Sequence, residues 1–145
     1  MQSKTRVRLA AFLVAVVMVG GWLFISYTVL QDYLDLLNHK QIVTFSPVAL
    51  WFPVGGFGAL LYVIFIIPKV FLTGDKIPLL ISRKTASLWD RVMLFFCLMG
   101  VAFSAGWTYH TFDLMDKYDY VYSEDLNKNA GTSIYRKWIR VMPSI

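Results

Sequence analysis

The stretch LAAFLVAVVMVGGWLFISYTVL, residues 9–30, contains no charged side chain, and it decides the fold of this chain. An α-helix needs about 20 apolar residues to cross the hydrocarbon core of a bilayer. Two further runs of similar length and character occupy residues 45–67 and 92–112. The sequence therefore predicts an all-α integral membrane protein with three transmembrane helices. They form a transmembrane domain over residues 1–112, followed by a short extramembrane tail over residues 113–145.

The composition agrees with this class of protein. Hydrophobic residues make up 57% of the chain and charged residues only 16%, whereas soluble domains carry about a quarter charged residues. Lys4, Arg6 and Arg8 precede the first run in the manner of a secretory signal. That run is too long for a signal peptide, and Gln31 and Asp32 after it do not form a small-residue cleavage site. We therefore expect a retained first span.

Charge is distributed unequally between the two predicted membrane sides, and the overall formal net charge is +5. Basic residues near span ends remain in the cytoplasm. The first side carries most of the cations: Lys4, Arg6, Arg8, Lys69, Lys76, Arg83, Lys84 and Arg91. The second side carries most of the acids: Asp32, Asp35, Asp113, Asp116, Asp119, Glu124 and Asp125. We expect a multi-pass protein of the bacterial inner (plasma) membrane, with a cytoplasmic N-terminus and an extracytoplasmic C-terminus. Nucleic acid is not an expected partner.

Local signals predict where the second and third helices begin. Ser46 followed by Pro47 suits an N-cap and a first helical position, and Phe45 is placed to pack on Leu50 as a hydrophobic staple. Ser87 and Asp90 resemble a capping box ahead of the third run. Between these helices, residues 77–81 form an apolar piece too short to cross, which we expect to lie at the inner interface.

Small residues in the second and third runs predict close helix packing, because they let backbones approach each other. We expect this face to pack within the molecule, with a dimer or partner face as the alternative, and Pro53 to kink the second span. The candidate packing or partner residues are Gly55, Gly56, Ala59, Gly100, Ser104 and Gly106.

The sequence argues against an enzyme, a pump and a cofactor protein. The central parts of the spans carry no ionisable side chain of the kind that proton relays require. Cys97 is the only cysteine, so no intramolecular disulfide and no thiol cluster are expected. Phosphate-binding, dinucleotide-binding and nucleophile-elbow motifs are missing from the sequence. We expect no catalytic residues and no cofactors.

Polar side chains that remain for recognition lie on the predicted outer side. Asp35 and His39, and likewise His110 and Asp113, are spaced to share a helix face. Histidine and aspartate side chains can bind a divalent metal ion, but no ligand motif accompanies these four residues. We therefore favour the interpretation that they are solvated polar residues at the membrane interface.

The tail admits two interpretations. Tyr118, Tyr120 and Tyr122 alternate as in a strand. Beyond them, apolar residues from Ile134 to Met142 recur at helical spacing and favour an amphipathic helix capped by Thr132 or Ser133. The alternation of Tyr135, Lys137, Ile139 and Val141 also allows a second strand and a hairpin. The candidate extracytoplasmic recognition residues are Asp35, His39, His110, Asp113, Tyr118, Tyr120, Tyr122 and Trp138.

In its size, its three-span plan, the Phe45-Ser46-Pro47 entry to the second span and the tyrosine-rich stretch with Gly131 to Tyr135, the chain resembles a poorly characterised family of small three-span enterobacterial inner-membrane proteins. Its architecture is also similar to immunity proteins that protect bacteria against channel-forming toxins. This resemblance implies recognition of a membrane-inserted toxin segment and carries over no functional residue.

The leading hypothesis is a non-enzymatic inner-membrane interaction protein, with toxin immunity as its most concrete form. Its expected partners are the lipid bilayer and another membrane protein or a toxin, with a homo-oligomer as a further option. The alternatives are an accessory or assembly subunit of a larger membrane complex and a holin-like pore-former.

Overall fold

The computed structural model of the protein describes residues 3–128 and 135–141. Within them the chain forms six helices and three strands. In chain order these are α1 (Lys4–Leu37), β1 (Ile42–Phe45), α2 (Pro47–Gly55), α3 (Phe57–Thr73), α4 (Ile77–Leu80), α5 (Arg83–Lys117), β2 (Tyr120–Tyr122), α6 (Glu124–Lys128) and β3 (Arg136–Arg140).

Three helical segments are long and apolar enough to cross a membrane: Lys4–Leu37, Pro47–Thr73 and Arg83–Lys117. The prediction of three such helices is confirmed. They extend beyond the apolar runs because lysine and arginine, which flank these runs, are nearly as helix-prone as leucine. Large apolar side chains on α1 and α5 remain exposed, including Val17 at 70% and Leu98 at 63%.

The second apolar segment is interrupted at Gly56, where α2 ends and α3 begins. Pro53 lies within α2, in the turn before the break, and as a proline it cannot donate a helical hydrogen bond. The Trp22 indole of α1 donates a hydrogen bond of 3.1 Å to the Pro53 carbonyl oxygen. This bond ties α1 to the interrupted part of the segment.

Ser46 caps α2 as predicted. Its side-chain oxygen accepts a hydrogen bond of 3.3 Å from the Ala49 amide, Pro47 occupies the first helical position, and Phe45 and Leu50 share one buried cluster. The predicted capping box at Ser87 and Asp90 is wrong. Because α5 begins at Arg83, both residues lie inside the helix, and Ser82 is the N-cap instead, accepting from the Thr85 amide at 3.2 Å.

The first turns of α1 pack against the end of α3. We call this region of the molecule the basic end, because it carries Lys4, Arg6, Arg8, Lys69, Lys76 and Lys84. The α3 helix stops at Gly74, which adopts a left-handed φ of 71°, a conformation that costs glycine little. Arg8 donates a hydrogen bond of 3.1 Å to the Leu72 carbonyl oxygen, satisfying a group that has no helical donor. A small apolar core of Ala11, Ile66 and Val70 lies beneath.

At the opposite end, the first loop, which connects α1 to α2 and contains β1, forms one antiparallel sheet with the tail. The strand order is β1-β3-β2. The protein is therefore not all-α. The amphipathic helix favoured for the tail is wrong over Arg136–Arg140, which form the central strand, and the hairpin alternative is confirmed by the pairing of β2 with β3. The physical reason is that a strand at Arg136–Arg140 forms backbone hydrogen bonds with β1 on one side and with β2 on the other. The proposed caps Thr132 and Ser133, and Met142, lie outside the described residues.

A second core joins this sheet to the helices. It contains Leu36 of α1, Met115 of α5, Leu50 of α2, and Val43, Phe45 and Tyr120 of the strands. We call this assembly of the three strands and the adjacent ends of α1 and α5 the sheet end. This core packs the sheet against the helices, so the sheet end is an ordered part of the fold.

Candidate functional site

The acidic residue Asp35 and the histidine His39 do not form a common ligand face. Asp35 makes a salt bridge of 2.7 Å with Lys40. His39 lies beyond the end of α1 with a φ of 55°, and its ring meets the Tyr118 ring edge-on at 4.3 Å between centroids. The prediction that both residues continue one helix face is wrong, because α1 ends at Leu37.

His110 and Asp113 both lie on α5, as predicted. His110 contacts α1, since its Nε2 atom lies 3.3 Å from the Tyr33 hydroxyl oxygen. Trp107 completes this aromatic contact, with its ring centroid 5.0 Å from that of Tyr33. Asp113 is exposed. Among the residues that the structure describes, His, Cys, Asp and Glu side chains form no group of three that could hold a metal ion.

The tail aromatics differ sharply in exposure. Tyr120 is 4% exposed and belongs to the core of the sheet end, and Tyr118 is half-buried against that core. Trp138 is also half-buried, packing on Phe112 at 5.7 Å and on Tyr122 at 5.4 Å between ring centroids. Of the four candidate aromatic residues, Tyr118, Tyr120, Tyr122 and Trp138, only Tyr122 is exposed, at 40%. Most of these candidate recognition residues therefore contribute to the core.

Tyr120 links the two parts of the sheet end that come from distant sequence. Its hydroxyl donates a hydrogen bond to the Lys40 carbonyl oxygen in the first loop. Burial raises the pKa of Tyr120 above its ordinary value of 10.0, because the buried site disfavours the phenolate; Arg140 opposes this shift and Asp35 adds to it. The hydroxyl thus remains a donor throughout the physiological range.

We expect the sheet end to lose stability in alkaline solution as the Tyr120 hydroxyl loses its proton. A raised folded-state pKa means that the stabilisation is fully present below the unfolded value and is lost as pH rises through the folded value. Tyr120→Phe should therefore lower the melting temperature at pH 7 by a few degrees, consistent with a lost hydrogen bond of about 1 kcal/mol. The difference between the variant and the wild type should shrink above about pH 10. Tyr109→Phe is the control, because Tyr109 is 80% exposed; a constant difference across pH would contradict the assignment.

The predicted small-residue face is in part an intramolecular interface between α2 and α5. A Cβ atom added to Gly100 would lie 2.7 Å from both the Cα and the N atom of Gly55, which shows how closely the backbones approach. Two hydrogen bonds cross the same interface. The Trp51 indole donates to the Cys97 carbonyl oxygen at 3.1 Å, and the Ser104 hydroxyl donates to the Pro47 carbonyl oxygen at 2.6 Å.

The remaining small residues lie elsewhere. Gly56 and Ala59 line an apolar groove between α1 and the second segment, together with Trp22. Gly106 is exposed, and a Cβ atom added there would meet no heavy atom within 4 Å. The six candidates therefore do not form one surface. On α5, Gly100 and Ser104 face α2, whereas Gly106 is exposed.

One surface was not predicted from the sequence. Ile42 of β1 pairs with Ile139 of β3, and Ile139 pairs with Val121 of β2. Side chains alternate along a strand, so this row lies opposite the core-facing residues Val43 and Trp138. Ile42 is 49% exposed and Val121 is 54% exposed. We call these three residues the apolar row. Its only sequence signal is the alternation around Ile139, which indicates a strand without identifying its partners.

Comparison of the chain with protein-family models, with curated proteins and with solved structures finds no match.

Proposed function

We propose that this chain is a non-enzymatic interaction protein of a bacterial inner membrane, in which the three long helices hold the sheet end at the outer surface. The lipid environment is supported by the exposed apolar side chains along α1 and α5, which in water would form a surface far larger than soluble proteins tolerate. The concentration of lysine and arginine at the basic end supports a cytoplasmic location for that end.

The observation that carries the interaction role is the apolar row. Its three aliphatic side chains stand in register on the face of the sheet opposite the core. Exposed apolar surface on a small extramembrane unit is a common mark of a protein-binding site. Among the described residues, the sheet ends in two edge strands, β1 and β2, which offer backbone groups to a partner strand.

Toxin immunity is the most concrete form of this role. A protein that recognises a membrane-inserting toxin needs a surface at the bilayer boundary and needs no catalytic group. The sheet end offers such a surface, because its apolar row lies next to the ends of α1 and α5. We propose that the apolar row contacts the toxin as it enters the membrane.

The test is protection of a producing host. Cells that make the protein are challenged with a panel of channel-forming toxins, and survival and membrane potential are recorded. We expect protection against one toxin and at least a tenfold loss of protection in the double variant Ile42→Lys, Val121→Lys, because buried interface anchors commonly contribute about 1–2 kcal/mol or more. The control is Gln41→Lys, Glu124→Lys, which adds two lysines at neighbouring exposed positions. It raises the positive charge of the sheet end by more than the test variant does, so it should protect normally if the apolar contact rather than charge is what matters.

Other results would reject this form of the proposal. A stoichiometric partner that co-purifies without toxin, and is lost in the Ile42→Lys, Val121→Lys variant, would assign an accessory or assembly subunit instead. Loss of membrane potential on production of the protein alone would assign a holin-like pore-former.

A further inference from the structure

The basic end contains an open apolar groove between the start of α1 and the α3–α4 region. Val7, Ala10 and Val14 of α1 line one side, and Ile67 and Ile77 line the other. The groove encloses about 1000 Å³ of space that includes its open mouth. Its walls are almost entirely aliphatic, so its interior favours a hydrocarbon occupant.

Two cations, Arg6 and Lys76, belong to the lining of the same groove. The neighbouring cations have partners of their own. Lys4 lies 3.8 Å from a carboxylate oxygen of Asp75, and Arg8 donates to the Leu72 carbonyl oxygen. Within residues 3–128 and 135–141, neither Arg6 nor Lys76 pairs with a carboxylate. The groove thus combines an apolar interior with two positive charges that have no counter-ion in the described part of the chain.

We propose that this groove binds one anionic phospholipid, with its phosphate between Arg6 and Lys76 and one acyl chain along Val7, Ala10 and Val14. The proposal rests on the membrane insertion and orientation proposed above but not on the identity of any protein partner. Basic pockets between transmembrane helices on the cytoplasmic side suit anionic headgroups. The charge pattern that supports a cytoplasmic location for the basic end places the groove in the leaflet where such lipids are found.

The chemistry of the groove selects this occupant over the alternatives. An acidic peptide would satisfy Arg6 and Lys76 but would bring polar backbone into an aliphatic groove, at a desolvation cost. A second copy of the chain would bring its own basic end, and the like charges would repel. A phospholipid with a net negative charge satisfies both features at once.

The binding test uses the purified full-length protein in neutral detergent, titrated with dioleoyl phosphatidylglycerol or dioleoyl phosphatidylcholine and analysed by native mass spectrometry. We expect preferential retention of one phosphatidylglycerol molecule. The double variant Arg6→Gln, Lys76→Gln should weaken its binding about tenfold or more, because each cation near an anionic lipid surface contributes about a fivefold preference. The matched control is Lys69→Gln, Lys84→Gln, which removes the same charge from the same end outside the groove lining.

A second variant tests the acyl-chain part of the site. Ala10 is exposed to the groove and not part of a buried core, so Ala10→Phe should fill the groove without preventing folding. It should weaken binding of both lipids, whereas Arg6→Gln, Lys76→Gln should weaken mainly the anionic one.

Three results would overturn the proposal: equal retention of both lipids by the wild type, equal loss in the Lys69→Gln, Lys84→Gln control, or displacement of phosphatidylglycerol by glycerol phosphate at similar concentration. The last would indicate an anion site with no contribution from the acyl chain. Helix content measured by circular dichroism establishes that each variant is folded. Failure of toxin protection would leave the lipid result unaffected, because the two experiments probe opposite ends of the molecule.

Discussion

Replacement of Gly100 by leucine is expected to destabilise the protein by about 2 kcal/mol or more. Inserting atoms into a closely packed interface typically costs about 1–3 kcal/mol, and here the added Cβ atom would lie 2.7 Å from backbone atoms of Gly55. Backbone cannot move aside as a flexible side chain can. The α2 and α5 helices must therefore separate, which also strains the hydrogen bonds from Trp51 to Cys97 and from Ser104 to Pro47.

The measurement is thermal or denaturant unfolding in detergent, followed by tryptophan fluorescence and circular dichroism. Gly106→Leu is the matched control, because it makes the same chemical change on the same helix at a position with no neighbouring heavy atom within 4 Å. Glycine disfavours a helix by about 1 kcal/mol relative to good helix formers, so the control should be neutral or slightly stabilising. Equal effects at Gly100 and Gly106 would contradict the close approach of α2 and α5.

This pair of variants also separates packing from recognition. Loss of protection in Gly100→Leu would be ambiguous, because the variant disturbs the helix interface itself. Gly106→Leu keeps that interface intact and adds bulk to an exposed face. Any loss of protection in Gly106→Leu would therefore assign a partner contact to the outward side of α5, in addition to the apolar row.

The sequence predicted the parts of this fold that depend on short-range signals. Hydropathy identified three helices, and the Ser46-Pro47 pair identified the start of α2, because a cap is encoded within a few residues. The start of α5 was placed too late for a related reason. Hydropathy marks where the apolar part of a helix begins, whereas Ser82 marks where the helix itself begins.

The sheet end was harder to predict because its contacts are non-local. Residues Ile42–Phe45 are β-prone but adjoin the second apolar run, and their partner strand Arg136–Arg140 is far away in the chain. The alternation around Ile139 allowed a strand, yet it could not distinguish a hairpin with β2 from a sheet that also includes β1. Several recognition candidates, Tyr120 above all, consequently prove to be core residues.

Replacement of Leu36 by alanine is expected to destabilise the sheet end by about 2–5 kcal/mol, the usual range for removal of a buried leucine side chain. Leu36 is fully buried, at 0% exposure, in the last turn of α1. It packs with Val43, Met115 and Tyr120, which belong to the first loop, α5 and the tail. The cavity left by alanine would weaken all of these contacts together.

The loss of stability in Leu36→Ala should be confined to the sheet end. The buried cluster that contains Leu36 has no member in α3, and the α2–α5 interface is made by other residues, such as Gly55 and Gly100. The long helices should therefore remain associated while the strands separate more often. Hydrogen exchange resolved by residue measures this directly, because amides report local opening below the global unfolding free energy. We expect exchange in Arg136–Arg140 to accelerate by at least tenfold and exchange in the centre of α5 to change little.

Leu34→Ala is the control, two residues away on the same helix and 37% exposed, and it should leave the strand amides protected. Uniform acceleration through α5 in Leu36→Ala would mean that the sheet end and the helices unfold as one unit. The Ile42→Lys, Val121→Lys variant would then have to be judged on its helix stability before its loss of protection could be read as lost recognition. Selective acceleration in β3 would instead mean that the strands open while the helices stay packed, so a partner binding the apolar row would stabilise the sheet without having to rearrange the helices.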